Sequence, residues 1–91
     1  MIYDIEKTNQ FKKDYKLAKK RGSNIEELKL VIGLLADDIE LPEKYHDHEL
    51  KGEYLNYREC HIGADFLLVY KKTEKILLLT LFRLGTHSDL F

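Results

Sequence analysis

The 91-residue chain has one cysteine, one proline, no tryptophan and no apolar run near the roughly 18–20 residues that a membrane helix needs. Its first residues, MIYDIEKTNQF, lack the basic start and long apolar stretch of a secretory signal peptide. Cys60 has no partner for an internal disulfide, which favours a reducing compartment. We therefore expect a cytoplasmic protein that makes no contact with a membrane.

Charge of neither sign dominates, because 15 basic residues face 16 acidic ones and the net charge is −1. The whole molecule therefore lacks the basic footprint of a general nucleic-acid binder. The basic residues are concentrated in KKDYKLAKKR (12–21), which is either a solvated helix face or a contact for phosphate or another anionic partner. The 44% hydrophobic content supports one core, and the chain is too short for two, so we expect a single domain over residues 1–91.

The first half of the chain predicts a short strand followed by two helices. IYDIE (2–6) alternates apolar and polar residues, as a half-buried strand does. Thr8 or Asn9 can cap a helix that Gly22 ends, and Ser23 can open a second helix through a capping box. Each helix carries an apolar stripe that must be buried against another layer.

The second half predicts three strands: YLNYRECHI (54–62), DFLLVYKK (65–72) and KILLLTLFRL (75–84). The connections between them are short enough for antiparallel hairpins. The last strand is apolar on both faces, so we expect it at the centre of the sheet. The predicted order is β-α-α-β-β-β. The fold class is α+β, a small antiparallel sheet with two N-terminal helices packed on it.

Four histidines raise the question of a metal site: His46, His48, His61 and His87. Cys60 and His61 are neighbours in a predicted strand and point to opposite faces, so they are poorly placed to share an ion. No paired CxxC or HExxH spacing is present. We expect no metal and no other cofactor, and a structural role for His46 in its loop.

Acid–base chemistry is the alternative use of these side chains. Strand alternation places Glu59 and His61 on one face. Arg83 closes the last strand, and the turn that follows it can bring His87 over the sheet. Asp65, just beyond the hairpin from His61, can orient an imidazole.

Two histidines and an arginine suit cleavage of an RNA phosphodiester without a metal. One group removes the proton of the 2′-hydroxyl, a second protonates the 5′-oxygen, and the guanidinium stabilises the added charge on phosphorus. Histidine can perform either proton transfer near neutral pH. The same residue types also occur in proteins that catalyse nothing, so the pattern alone leaves both interpretations open.

Three segments resemble the YafQ branch of the RelE/ParE toxin superfamily: YHDHELKG (45–52), YRECHIGADFLLVYK (57–71) and FRLGTHSDLF (82–91). The combined motifs are D-H-x-L-x-G, R-[DE]-x-H with Asp four residues later, and R-x-G-[ST]-H-x-x-L-F. The resemblance extends from residue 2 to residue 91. One departure is Phe66, where many relatives carry tryptophan.

The resemblance implies a RelE-like toxin of a type II toxin–antitoxin system. Such a toxin is a ribosome-dependent, metal-independent endoribonuclease that cleaves mRNA and inhibits translation. The implied partners are a cognate antitoxin protein, mRNA and ribosomal RNA, with operator DNA contacted only through the antitoxin complex. Two alternatives are a ParE-like toxin that inhibits gyrase without cutting RNA, and an inactive toxin that serves only as an antitoxin-binding co-repressor.

The resemblance also implies roles for individual residues. It places the active-site residues of the family at five positions: His48, His61, Asp65, Arg83 and His87. It implies that His87 is the general acid and that His61 or His48 is the base or its orienting partner. Phe91 is expected to stack on a base, while Glu59 and Lys51 are weaker candidates for substrate contacts.

Overall fold

The computed structural model describes all 91 residues as a five-stranded sheet with helices. The elements are β1 (Asp4–Lys7), α1 (Asn9–Lys20), α2 (Ile25–Ala36), β2 (His48–Glu49), β3 (Arg58–Gly63), β4 (Phe66–Thr73), β5 (Leu78–Gly85) and α3 (His87–Leu90). Three single-turn 3₁₀ helices lie in the connections. No helix has the length and apolar character that spanning a membrane would require.

The strand order is β1-β5-β4-β3-β2, and the sheet is mixed. The α+β class and the two N-terminal helices are confirmed, but the expectation of a wholly antiparallel sheet is wrong, because β1 pairs with β5 in parallel. The chain between β1 and β5 contains both long helices and the other three strands, and so long a connection allows a parallel pair. The last strand, β5, is an interior strand of the sheet as expected, with β4 on one side and β1 on the other, while β4 occupies the middle position.

Local capping explains where the two long helices begin. The Thr8 hydroxyl oxygen accepts from the Phe11 amide at 2.9 Å, as predicted, and the same hydroxyl donates to the Phe82 carbonyl at 2.8 Å. The predicted Ser23 cap is wrong. α2 begins one residue later than that cap requires, so Asn24 accepts from the Glu27 amide at 3.0 Å.

Two of the predicted strands are shorter at their start than their apolar sequence indicates. Residues 54–57 do not join β3, because Gly52–Tyr54 forms a 3₁₀ turn and Asn56 adopts a φ of 78°. Residues 75–77 stay outside β5 in the same way, since Leu77 has a φ of 48° after the turn Glu74–Ile76. Left-handed residues interrupt the extended backbone that strand pairing needs.

The sheet separates two apolar clusters. The larger cluster lies between the sheet and the helices α1 and α2, and includes Phe11, Leu28, Val31, Leu68, Leu79, Leu81 and Leu84. The smaller cluster lies on the opposite face and consists of Leu67, Val69 and Leu90, with Leu50, Tyr57 and Phe82 packed against it. The smaller cluster supports the face on which the candidate site is built.

A β-bulge in β5 changes which side chains face the helices. The register runs from Tyr70 opposite Leu81 to Val69 opposite Arg83, which leaves Phe82 as the extra residue. Leu81 and Leu84 consequently both enter the helix-side core, although simple alternation would place them on opposite faces. The bulge lies immediately before the residues that the sequence analysis assigned to the site.

Candidate active site

A buried carboxylate lies between two histidines on the sheet face that is turned away from α1 and α2. Glu59 in β3 is only 4% exposed. Its Oε1 atom lies 3.4 Å from Nε2 of His48 and 3.5 Å from Nε2 of His61. The short strand β2 brings His48 to this position, because its Cα atom is paired with that of Glu59. Glu59 is therefore the centre of the group and not a peripheral residue.

Hydrogen bonding determines which nitrogen of His48 faces Glu59. Nδ1 of His48 lies 2.6 Å from the carbonyl oxygen of His46. A carbonyl oxygen only accepts, so Nδ1 carries a hydrogen and Nε2 is the atom that exchanges a proton at the Glu59 side. The nitrogen of His48 that is left to accept a proton therefore lies beside the carboxyl group of Glu59.

Asp65 orients His87. Its Oδ1 atom accepts from the backbone N–H of His87 at 3.0 Å and lies 3.3 Å from Nδ1 of the ring. The pKa of Asp65 is lowered, chiefly by the hydrogen bond from that backbone N–H and further by the ring of His87. An ionised Asp65 favours the proton on Nδ1, which leaves Nε2 of the 59% exposed ring directed to solvent for proton transfer.

The turn after β5 places His87 at the first position of α3. Thr86 and Asp89 form a capping box, and Asp89 is also paired with Arg21 at 2.6 Å. The hydrogen bond from Arg21, followed by that from the Thr86 amide, lowers the pKa of Asp89 from 3.8 to about 2. The segment that carries His87 is thus tied to the end of α1.

His61 is the central ring of the histidine group. Its ring centroid lies 6.0 Å from that of His48, 6.0 Å from that of His87 and 5.5 Å from that of His46. His46, for which a structural role in its loop is expected, lines a cavity of about 380 Å³ together with His61. The sequence signal that could have placed His46 near the site is the H-x-H spacing of His46 and His48.

Arg83 forms no hydrogen bond with any of the histidines; its side chain bonds to Asp14. Its Nε atom donates to Oδ2 of Asp14 at 2.9 Å, and Nη2 donates to Oδ1 at 3.4 Å. The hydrogen bond to Asp14 is the main cause of the raised pKa of Arg83. Tyr54 and Asp89 raise this pKa further by smaller amounts. Sequence reasoning missed Asp14, although an acid within the apolar stripe of α1 was a usable signal.

Aromatic side chains extend the site beyond His87. Phe91 is 56% exposed, and its ring centroid lies 6.3 Å from that of His87 and 5.5 Å from that of Tyr54. Tyr54 in turn contacts Phe82, 6.2 Å away. Exposed rings of this kind can stack on unpaired bases. Lys51, the other predicted contact, is exposed and forms no ion pair within the chain.

Three donor atoms of the histidine group are close enough to share a cation. The ligand atoms of His48, Glu59 and His61 all lie within 4.8 Å of one another. Imidazole nitrogens and a carboxylate oxygen suit zinc or copper. Cys60 is not part of the set, as predicted, because it is fully buried in the helix-side core and burial raises the pKa of its thiol.

Phe66, the position named above as a departure from the family pattern, lies in β4. It is buried in the helix-side core, and its ring belongs to the same cluster as Cys60 and Leu84. The side chain therefore packs beneath the site and does not line the histidine group.

Residues 3–91 match the family described as "Bacterial toxin of type II toxin-antitoxin system, YafQ". The chain is 44% identical over 89 residues to the mRNA interferase toxin YafQ of Escherichia coli (strain K12), covering 97% of this chain and 95% of that protein. It is similar to YafQ in the crystal structure of the E. coli DinJ–YafQ complex, with a TM-score of 0.90, 42% identity and 98% of each chain covered. It is also similar to a metal-bound toxin from Helicobacter pylori, with a TM-score of 0.91, 44% identity and full coverage of both chains.

Proposed function

Since this chain belongs to the YafQ family of bacterial type II toxin–antitoxin toxins, we propose that it is an mRNA interferase that cuts mRNA on the ribosome. The observation that carries the proposal is the pairing of two imidazoles, His61 and His87, whose centroids lie 6.0 Å apart. Each imidazole has its own carboxylate, Glu59 or Asp65. Residues 1–91 act as one toxin domain, and the protein works in the cytoplasm, where its substrate and the ribosome are found.

The two imidazoles divide the proton transfers. Nε2 of His87 is solvent-accessible and, when protonated, can donate to the 5′-oxygen as the bond to phosphorus breaks. His61, or His48 beside it, receives the proton of the 2′-hydroxyl, and the carboxylate of Glu59 stabilises the imidazolium that results. Attack by the 2′-oxygen then produces a 2′,3′-cyclic phosphate without a metal ion. A cation held by the three donor atoms described above would compete with protons for the imidazole nitrogens of His48 and His61.

The remaining residues bind the substrate. Arg83 has one edge of its guanidinium free to bind and stabilise the phosphate, since Asp14 occupies the other edge. Phe91 and Tyr54 offer rings against which a base can stack next to His87. Lys51, which is exposed, adds a positive charge for the RNA backbone.

Primer extension on a defined mRNA tests the proposal. Purified protein is incubated with the mRNA in the presence and in the absence of ribosomes. We expect cuts at in-frame positions that require ribosomes. Equal cleavage without ribosomes contradicts ribosome dependence. Intact mRNA together with inhibited DNA supercoiling would identify a gyrase inhibitor instead, and binding of an antitoxin with neither effect would identify an inactive toxin.

A lysine-lined groove is the surface that we assign to the antitoxin. The groove has a volume of about 610 Å³ and lies beside α1, α2 and β1. Its floor is apolar and includes Phe11, Leu28 and Leu81. Its remaining polar lining is basic and consists of Lys7, Lys12, Lys16, Lys19 and Lys29, without any acidic residue. This charge pattern fits an acidic, amphipathic segment of a protein partner, with apolar side chains on the floor and carboxylates at the lysines.

Charge reversal in this groove tests the assignment. We expect Lys12→Glu/Lys16→Glu to weaken binding of the antitoxin encoded beside the toxin by about 10-fold or more, measured by calorimetry at two salt concentrations. The matched control is Lys13→Glu/Lys20→Glu, which makes the same change of charge on the same helix outside the groove lining. An equal loss of affinity in both double variants would contradict a specific groove.

A further inference from the structure

Asp14 lies where an amphipathic helix normally places an apolar residue. It is on the same buried face of α1 as Phe11 and Ala18, and it is only 8% exposed. Burial of an ionised carboxylate is costly unless its oxygens are well hydrogen-bonded. The partners of Asp14 therefore indicate why an acid is present at this position.

Four hydrogen bonds reach the two oxygens of Asp14. Oδ2 accepts from the Leu84 amide at 3.0 Å and from Nε of Arg83 at 2.9 Å. Oδ1 accepts from Nε2 of Gln10 at 3.0 Å and from Nη2 of Arg83 at 3.4 Å. The bulge at Phe82 delivers Arg83 and Leu84 together to this carboxylate. Two of these four hydrogen bonds are thus donated by Arg83, the residue that we place at the phosphate.

One edge of the Arg83 guanidinium is left free to bind an anion. A guanidinium has two edges that can each form a paired contact with an anion. Asp14 occupies the edge formed by Nε and Nη2, while Nη1 makes no hydrogen bond within the chain. The edge formed by Nη1 and Nη2 remains free. Because the guanidinium is planar and rigid, the contact with Asp14 also fixes the direction in which this free edge points.

We propose that Asp14 is a positioning residue for RNA cleavage, which holds Arg83 by one edge of its guanidinium so that the other edge receives the reacting phosphate. This inference rests on the proposed function, because it concerns the same reaction. Asp14 itself touches no substrate. Its contribution is to remove the rotational freedom of a long side chain before the charge on phosphorus develops.

Two other contacts also hold α1 to the rest of the fold, one at each end of the helix. The Thr8 hydroxyl already donates to the Phe82 carbonyl at 2.8 Å at the start of the helix. Arg21 already pairs with Asp89 at 2.6 Å just beyond its end. Asp14 lies between these two links. Its paired contact with Arg83 is therefore better explained by the orientation of the guanidinium than by fastening of the helix.

A double-mutant cycle of Asp14 and Arg83, with the cleavage rate as its readout, tests the proposal. Single-turnover cleavage of a ribosome-bound mRNA is measured over a range of protein concentrations for the parent, Asp14→Asn, Arg83→Ala and the double variant. We expect Asp14→Asn to lower the maximal rate by about 10-fold or more, with less than about 3-fold change in the half-saturating concentration. In the Arg83→Ala background the same substitution has no further effect, because the residue through which Asp14 acts is gone.

Asp38→Asn is the matched control, since it removes the same charge and breaks an exposed ion pair with Lys72 at 3.0 Å, away from the site. We expect the parent rate for this variant. Parent-like cleavage by Asp14→Asn, or equal losses in the two backgrounds, overturns the proposal while the proposed function stands. A parent protein that cuts no mRNA overturns both.

A second variant tests the proposal if Asp14→Asn does not fold, and a second measurement tests it if cleavage is too weak to measure. Asp14→Glu keeps the negative charge beside Arg83 but moves the carboxylate by one C–C bond length, about 1.5 Å. We expect this folded variant also to lose maximal rate. In NMR spectra, the Nε–H signal of Arg83 is expected to exchange slowly in the parent and rapidly in Asp14→Asn. An unchanged signal contradicts the proposed hold.

Discussion

Replacing His87 with alanine lowers the rate of mRNA cleavage by about 10²–10⁴-fold, the usual contribution of a general acid. The side chain of His87 is 59% exposed, and its ring pairs with Asp65. The backbone N–H of residue 87, which also donates to Asp65, is retained in the variant. The fold should therefore survive, and primer extension together with thermal unfolding measures the two effects separately.

Ser88→Ala is the matched control for this substitution. Ser88 is the next residue of α3, is exposed and makes no side-chain hydrogen bond. We expect parent-like cleavage and a parent-like melting temperature. A folded His87→Ala protein that cuts mRNA at the parent rate would remove His87 from the mechanism.

Replacing Gly85 with alanine is expected to reduce cleavage by about 10- to 100-fold without touching a catalytic group. A Cβ atom at this position would lie 2.8 Å from Oδ2 and 3.0 Å from Cβ of Asp89. Asp89 cannot move freely, because it binds Arg21 and caps α3 through Thr86. The clash must shift the turn that carries His87, and a displacement of about 1 Å can cost roughly 10²-fold in rate.

Gly33→Ala is the control for this prediction. Gly33 lies in the interior of α2, and a Cβ atom there would meet nothing within 4 Å. We expect this variant to be more stable by about 0.5–1 kcal/mol, as alanine is favoured over glycine in a helix, and to cleave at the parent rate. Cleavage rates and melting curves for both variants provide the check. A parent-like rate for Gly85→Ala would show that the turn tolerates displacement.

Features that depend on neighbouring residues were largely predictable from the sequence. The cap at Thr8 and the presence of both helices follow from local pattern, although α2 begins one residue later than predicted. Strand alternation correctly placed Glu59 and His61 on one face, and the turn at Gly85 correctly brought His87 over the sheet. These inferences succeeded because each needs only the geometry of a few consecutive residues.

Features that depend on strand register could not be predicted in this way. His48 reaches Glu59 only because a two-residue strand, β2, pairs at one particular register with β3. The bulge at Phe82 likewise arises from the pairing of β4 with β5, and it decides that Arg83 meets Asp14. No local pattern encodes either register, because both are set by packing between distant segments.

The parallel pair of β1 and β5 has a consequence for how the molecule folds. It joins residues near the two ends of the chain, so its formation carries the largest loop-closure entropy in the sheet. All four residues of β1 are exposed, whereas the central strand β4 begins with five consecutive buried residues. Docking of β1 should accordingly be a late folding step, and the amide hydrogens of Asp4–Lys7 should exchange with solvent before those of β4. The hairpin of β3 and β4 can then form completely, with Glu59 and His61 in place, while β1 at the opposite edge of the sheet still detaches from β5 and pairs with it again.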